Sequence, residues 1–494
     1  MAHAIIIGAG LGGLATALRL RQHGFEVTIL EKQSRPGGRS NIIEENGFRV
    51  DIGPTILVMK KSFEELYQSI GEDFDRRIRM VQLDPNYRIY YHDGTQLDIY
   101  NNMAKLAQEV EKISPGATEE LFQFIGEGAK KYALGMAFVE RNYDRITDIF
   151  NPIAGLRLIQ TRAHQNLYRQ VSDFFAGNDK LVKAFSFHSM FLGLSPLDSL
   201  AMYSIITYAD LALGMWYPMG GIYSLVEDMV KIAVDKGVIL KTNSPVNRIV
   251  VEDGRAVGII LNSGEKVLAD LVISNADLVY TYRELIDERF RKQYSNQKLE
   301  RMQYACSGYV LYLGLDKTYL HLRHQALYFS EDYRRNLESI FKLKTLPEDP
   351  SFHLNIPTVT DPSLAPPDHS LVYVLAPMPN LEADLDWKQA SLVLRERLLE
   401  RLEHIIDPSI RRHIVWEKNY LPTDWLSEIN APLGTAFGSL AHGFFQSAYF
   451  RPHNNSRDIE RLYFVGQGTY PGIGMPMVVI SSRLVVERIL KEWS

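Results

Sequence analysis

Near its start the chain carries Gly8, Gly10, Gly12 and Gly13 in the run Ile5-Ile6-Ile7-Gly8-Ala9-Gly10-Leu11-Gly12-Gly13, with Glu31 and Lys32 closing the next apolar segment. Residues of these types at this spacing bind a diphosphate. Gly8 permits the tight turn, Gly10 lets the backbone approach the anion, and Gly13 lets the following helix pack on the preceding strand. The first amides of that helix and its dipole then face the negative charge. A carboxylate at Glu31 accepts from ribose hydroxyls and repels a 2′-phosphate, so FAD and NAD fit and NADP does not. Two further segments extend the candidate contact set: Arg35-Pro36-Gly37-Gly38-Arg39, and Asp51-Ile52-Gly53-Pro54-Thr55. Gly38 and Gly53 let the backbone run close to a ligand, and Arg39 is a permanent cation near a diphosphate. A plain turn with a solvated arginine remains the alternative for that stretch. At the far end, Gly466, Gln467, Met475, Pro476 and Met477 lie in a glycine-rich loop running into a helix. A helix start after such a loop suits the electron-rich edge of a reduced flavin.

These groups need a scaffold of alternating strands and helices. Ala4 to Ile7 reads as a short buried parallel strand, Leu11 to His23 as a helix and Glu26 to Leu30 as a second strand. Further on, Gly221 to Lys236 reads as an amphipathic helix. Val238 to Leu240, Val246 to Val251, Ala256 to Leu261 and Leu268 to Ile273 read as strands, separated by Asp253-Gly254 and Ser263-Gly264 turns. The closing segment is a strand, a loop and a helix through Val485. The expected fold is α/β: a Rossmann-type FAD-binding domain formed by residues 1–75, 218–275 and 440–494. Residues 76–217 and 276–439 are expected to form an inserted α+β substrate domain, the first insertion being helical.

Composition narrows the function. The 494-residue chain can bury two sizeable cores, and its formal net charge of −5 supplies no basic field for nucleic acid. Its one cysteine, Cys306, excludes an internal disulfide and reads as a strand core residue. No leader is expected ahead of a strand that begins at residue 4. Leu462 to Ser482 and Leu211 to Val226 carry no charge, but glycine and proline disqualify both as membrane spans. Zinc, metalloprotease and serine-nucleophile motifs are missing, and no metal is expected. His321 and His324 read as solvated loop histidines, and His188 as a satisfied core histidine.

Several segments together resemble the bacterial-type carotenoid desaturases, flavoenzymes acting on phytoene or 4,4′-diapophytoene within the amine oxidase-like FAD group. They are Gly8 to Arg39, Asp51 to Thr55, Ala184-Phe185-Ser186-Phe187-His188-Ser189, Trp216-Tyr217-Pro218-Met219-Gly220-Gly221, Tyr304 to Tyr309, Asp361 to Pro366, Tyr449-Phe450-Arg451-Pro452-His453-Asn454, and Leu462 to Pro476. The resemblance implies FAD, a long apolar polyene substrate, a backbone contact from Val246 to the adenine, and desaturation by hydride transfer to the flavin; the lack of cysteine and histidine from Leu462 to Met477 makes the expected attachment non-covalent. It also implies peripheral attachment to the cytoplasmic membrane from the cytoplasmic side, with quinone or oxygen as final electron acceptor. Self-association into a homo-oligomer stays open. A carotenoid isomerase, a terminal-methyl oxidase and a non-enzymatic prenylated-protein escort are the alternatives on the same fold.

For the proton, the resemblance points to Asp148 in Asp144-Arg145-Ile146-Thr147-Asp148, although Thr147 stands where relatives often carry arginine. A carboxylate buried beside a polyene would have a raised pKa, suited to accepting a proton. A helix cap or a salt-bridged surface aspartate is the competing reading. Ile149 to Arg162 reads first as a core helix and second as a membrane-surface helix.

Overall fold

The computed structural model describes residues 1–149 and 152–493. Strand β1 (His3–Ile7), helix α1 (Leu11–Gln22) and strand β2 (Glu26–Leu30) form the opening unit where the glycine spacing predicts it. β3 (Ile239–Lys241), β4 (Leu271–Ser274) and β5 (Leu462–Phe464) complete a five-stranded sheet of order β5-β4-β1-β2-β3, with every pairing parallel. Ile5, Ile6 and Val272 are fully buried, which is why these strands read as unbroken β-branched runs. α1 and the C-terminal helix Met475–Trp493 pack together on one face, so the first and last elements of the chain share a core.

One sequence expectation divides in two. Leu268 to Ile273 is not a single strand: Lys266–Leu268 belongs to a three-stranded antiparallel sheet with Val246–Glu252 and Arg255–Leu261, while β4 enters the parallel sheet. The chain changes sheets at Asp270, whose N–H donates to His3 O at 2.9 Å and whose carboxylate accepts from His3 N–H at 2.7 Å.

The inserted parts join through one seven-stranded sheet. Its order is Ile414–Tyr420, Ser307–Leu315, Ser370–Met378, Phe352–Asn355, Gln325–Phe329, Tyr87–Tyr91, Gln96–Ile99. The first insertion is therefore not purely helical: its Tyr87–Ile99 hairpin, turning at Asp93-Gly94, pairs in parallel with Gln325–Phe329 of the second. Phe48, from the Asn41–Ile52 hairpin, packs on this sheet where Gly314 leaves room; a Cβ there would lie 2.4 Å from the Phe48 ring. Helices Met103–Ile113, Thr118–Val139, Leu167–Phe174, Asp179–Ser186 and Ser204–Leu213 cover one side of the insertion. Lys131, almost fully buried, pairs with Glu127 of its own helix at 2.9 Å and ties that helix to two others, through Gln170 at 2.6 Å and Ser204 Oγ at 3.2 Å.

Candidate functional site

The loop after β1 is made of backbone. Gly8 has φ +94°, and a Cβ on Gly13 would sit 2.2 Å from Gly8 O, so the helix can pack here only without a side chain. Gly10 is the N-cap of α1 and supplies no side-chain acceptor, which leaves the first amides of the helix for an anion. Glu31 is buried at the end of β2. Its carboxylate accepts from Ala9 N–H at 2.7 Å and Gln33 N–H at 2.9 Å, holding the loop shut while keeping lone pairs for hydroxyl donors. Lys32 points elsewhere: its ammonium donates to Ser427 O at 3.0 Å and Asn430 Oδ1 at 2.7 Å, so it fastens the opposite wall of the cavity.

The Gly37–Ser40 turn lies alongside, bridged to Gly10. Arg39 projects from it, and the Gln467 amide oxygen accepts from its Nε at 2.8 Å and Nη1 at 2.7 Å. Arg39 Nη2 has no hydrogen-bond acceptor and lies 3.8 Å from Asp277 Oδ2, itself without a donor. Burial pulls the Arg39 pKa down and pushes the Asp277 carboxyl up, against the attraction between them. Gly53, at φ +96°, runs so close to the Arg39 backbone that a Cβ would meet its carbonyl at 2.2 Å. Pro54, Thr55 and Val246 line the same space. Asp51, in the strand Phe48–Ile52 that leads into Gly53, accepts from Ile222 N–H at 2.8 Å and Tyr223 N–H at 2.9 Å; it caps the helix Tyr223–Asp235, and burial lifts its pKa to about 6.

The C-terminal loop closes the cradle. Gly466, at φ +118°, and Gln467 follow β5, and Met475, Pro476 and Met477 begin the last helix with their side chains at the cavity. Asn275, which the sequence reading missed, holds the two glycine loops together. It donates to Val465 O at 3.0 Å, and a Cβ on Gly10, Gly12 or Gly466 would fall within 2.9 Å of its amide. The signal for Asn275 and Asp277 is a polar Asn275-Ala276-Asp277 directly after a fully buried strand, at a sheet edge where ligands bind. Cradle, free helix amides, unpaired Arg39 nitrogen and Glu31 together fit the adenine dinucleotide half and diphosphate of FAD.

Beyond Thr55 the same cavity continues, about 1240 Å³ in all, and its wall changes character. Phe187, Met190, Phe191, Ile206 and Ala209 face it from the helical layer, and Leu327, Phe329, Phe352 and Leu375 from the large sheet. Phe187 and Phe329 meet edge to face at 5.7 Å. His188 lies behind this wall, fully buried, its Nε2 within 2.9 Å of Asp210 and 3.2 Å of Tyr87 OH; it is a core histidine as expected, but only half satisfied, since its Nδ1 has no hydrogen-bond partner. Cys306 is buried as expected, its thiol pushed up to about 12 by burial. His324 departs from the expectation of a solvated loop: it is buried against Tyr217, bonded to Thr360 Oγ1 at 2.6 Å, and burial lowers its pKa to about 3.

The structure does not bring Asp148 to the cavity. It is exposed in the short helix Ile146–Ile149, where Oδ2 accepts from the backbone N–H groups of Asp144 at 3.1 Å and Arg145 at 2.9 Å. That is how a capping aspartate is placed, not a carboxylate desolvated beside a polyene. The core-helix expectation for Ile149 to Arg162 is also corrected. Phe150 and Asn151 lie outside the described residues, but in the helix Pro152–Gln160 the side chains of Leu156 and Ile159 are 55% and 65% exposed. Leu158, between them, lines the cavity. Among the described residues, no helix is long and apolar enough to cross a membrane, and no cluster of His, Cys, Asp and Glu could hold a metal.

With this geometry in view, residues 11–490 match the family of flavin-containing amine oxidoreductases. A zeta-carotene-forming phytoene desaturase of Myxococcus xanthus is 38% identical over 98% of this chain and 93% of its own length. A lycopene-forming phytoene desaturase of Pseudescherichia vulneris is 36% identical over the whole of both chains. A 4,4′-diapophytoene desaturase of Staphylococcus haemolyticus is 33% identical over 99% of this chain and 98% of its own. Among solved structures, an oxidoreductase from Methanosarcina mazei superposes with a TM-score of 0.66 at 19% identity, covering 98% of this chain and all of that one. The chain belongs to the flavin-containing amine oxidoreductase family and stands with its carotenoid desaturases.

Proposed function

From that membership we propose that the chain is an FAD-dependent oxidoreductase that desaturates an acyclic carotenoid precursor, phytoene or 4,4′-diapophytoene. One observation carries the reading: a single cavity joins the diphosphate cradle to a long wall of Phe, Leu, Ile and Met side chains. A hydrocarbon offers no polar handle, so its binding rests on apolar burial of about 0.8 kcal/mol per methylene.

FAD, when bound, takes up the two electrons of each new double bond as a hydride. The chain does the rest. We assign the diphosphate to the α1 amides and Arg39, the adenine ribose to Glu31, and the adenine to the strand at Val246. Gly38, Gly53, Pro54 and Thr55 are assigned to close backbone approach. Gly466, Gln467, Met475, Pro476 and Met477 are assigned to the ring end. No cysteine or histidine stands in the loop from Leu462 to Met477, and non-covalent attachment is part of the proposal. The tunnel wall orients the polyene and excludes water. The carboxylates lining the cavity among the described residues, Glu31, Asp277 and Glu428, all stand by the dinucleotide loops. The proton that leaves the substrate therefore meets no carboxylate on the tunnel wall, and Asp148 drops out of the mechanism.

Exposed Leu156 and Ile159 flanking a cavity-lining Leu158 support entry from a lipid surface; peripheral attachment at the cytoplasmic side of the membrane is part of the proposal. Quinone or oxygen is proposed as the reoxidant. The test is chromatography of pigments from cells that make this chain together with either the C40 or the C30 precursor. More conjugated products are expected with at least one of them. Unchanged precursor in both strains would overturn the proposal, isomers alone would indicate an isomerase, and oxygenated ends a terminal-methyl oxidase.

A further inference from the structure

The segment Tyr449-Phe450-Arg451-Pro452-His453-Asn454 carries part of the resemblance but is given no role in the proposed function, and Arg451 is among the largest fully buried side chains of the molecule. All of its polar partners are backbone carbonyls. Nε donates to Thr469 O at 3.3 Å, Nη1 to Gln446 O at 3.3 Å and Leu440 O at 3.5 Å, and Nη2 to Leu440 O at 3.4 Å and to Gln467 O. Among the described residues no carboxylate forms an ion pair with it, and Asp277 acts on it only through space. Carbonyls satisfy donors but carry no net charge, so a whole positive charge persists in a region of low dielectric.

That charge sits directly behind the loop that closes the cradle. Gln467, Gly468 and Thr469 line the cavity on their other side. In a planar trans peptide the C=O and the next N–H point opposite ways, so a Gln467 carbonyl turned toward Arg451 turns the Gly468 N–H away from it. Cation and loop dipoles add in the same direction. A second group on the cavity wall feels the field. His442 accepts from Ile473 N–H at 3.3 Å and packs against Gly472, where a Cβ would lie 2.4 Å from His442 Cε1 and 3.3 Å from Arg451 Nε. Burial first and Arg451 second hold the His442 imidazole far below its usual pKa, in its neutral form.

We propose that Arg451 is a positioning residue for the redox step: through the Gln467–Thr469 loop it holds positive potential where the flavin ring must accept a hydride, making that ring easier to reduce. The inference rests on the FAD reading, and it predicts that the reduced ring stays deprotonated. Loss of the charge should change the equilibrium for reduction even where FAD still binds.

The experiment is anaerobic dye equilibration of purified holoenzyme, with flavin content read from absorbance. In Arg451→Met the equilibrium constant for reduction should fall at least tenfold, about 30 mV for a two-electron couple. Arg451→Lys keeps the charge and should stay within about threefold of wild type, a change of under 15 mV on the same scale. Wild type supplies a readout independent of any variant. At mildly acidic pH, its equilibrium should shift about tenfold per pH unit (one proton per two electrons) rather than about a hundredfold. An Arg451→Met potential equal to wild type, an equal fall in Arg451→Lys and Arg451→Met, or a hundredfold wild-type slope would overturn the proposal. Wild-type protein purified without flavin absorbance would contradict the FAD reading instead.

Discussion

The two ends of the cavity are built by different means. At the dinucleotide end the wall is backbone. Gly8, Gly13 and Gly53 bring main chain close to main chain, at Gly13 and Gly53 so closely that a single Cβ would fall 2.2 Å from a carbonyl oxygen, while Gly10 and Gly466 bring it against the Asn275 amide. At the polyene end the wall is side chain: Phe187, Phe191, Ile206, Ala209, Phe329 and Phe352, none of them in a forced backbone conformation. A site made of backbone tolerates almost no substitution, because the main chain cannot move aside. A site made of side chains keeps its function under exchange of similar volumes and changes its dimensions by degrees. Binding of the cofactor and choice of substrate should therefore be separable by mutation.

The largest effect is expected at the cradle. A Cβ on Gly10 would meet Asn275 Oδ1 at 2.8 Å, so Gly10→Val should yield protein without flavin absorbance. Retention of stoichiometric FAD would break the distinction between the two ends. At the other end Ala209→Phe should leave FAD in place. It should slow flavin reduction by the polyene by about 10²-fold, the cost of a bound chain displaced by about 1 Å from its reacting position. Equal loss of flavin in both variants would mean that the ends are not independent.

The rim of the tunnel gives a smaller effect. Leu156→Glu with Ile159→Glu places charge on the exposed side chains beside the cavity-lining Leu158. Sedimentation with liposomes should weaken about tenfold, for less than one fully buried apolar side chain lost, while reduction by detergent-solubilised substrate persists. Unchanged liposome binding would remove this helix from the membrane contact. The smallest effect belongs to Asp148→Asn, which removes the charge but keeps one oxygen to accept from Asp144 and Arg145 N–H. Stability should fall by about 1 kcal/mol or less, with flavin reduction at the wild-type rate. A fall of 10²-fold in reduction would return Asp148 to the mechanism.

The same contrast explains what the sequence could tell. Gly8, Gly10, Gly13 and Glu31 were legible because each answers a stated backbone or charge requirement, and the first strand, helix and strand follow from them. The tunnel was not legible: Phe187 on the cavity and Phe185 in the core beside it are chemically the same residue, and only packing separates them. The Tyr87–Ile99 hairpin was missed although Asp93-Gly94 marks its turn, because the helical periodicity around it dominated the reading. Lys32 looked like a cofactor contact by adjacency to Glu31. Both residues follow the end of the strand and line the cavity, but the Lys32 ammonium is taken up by Ser427 O and Asn430. Asp148 was chosen by resemblance alone, and resemblance does not report burial.

The most direct test of the central claim is anaerobic mixing of purified holoenzyme with phytoene or 4,4′-diapophytoene in liposomes, following flavin absorbance and the products together. If one cavity serves both ligands, the oxidised flavin band should bleach with at least one precursor as a product with an added double bond appears, one per flavin reduced. Full retention of the oxidised band with both precursors, in protein that carries FAD and binds the liposomes, would contradict it.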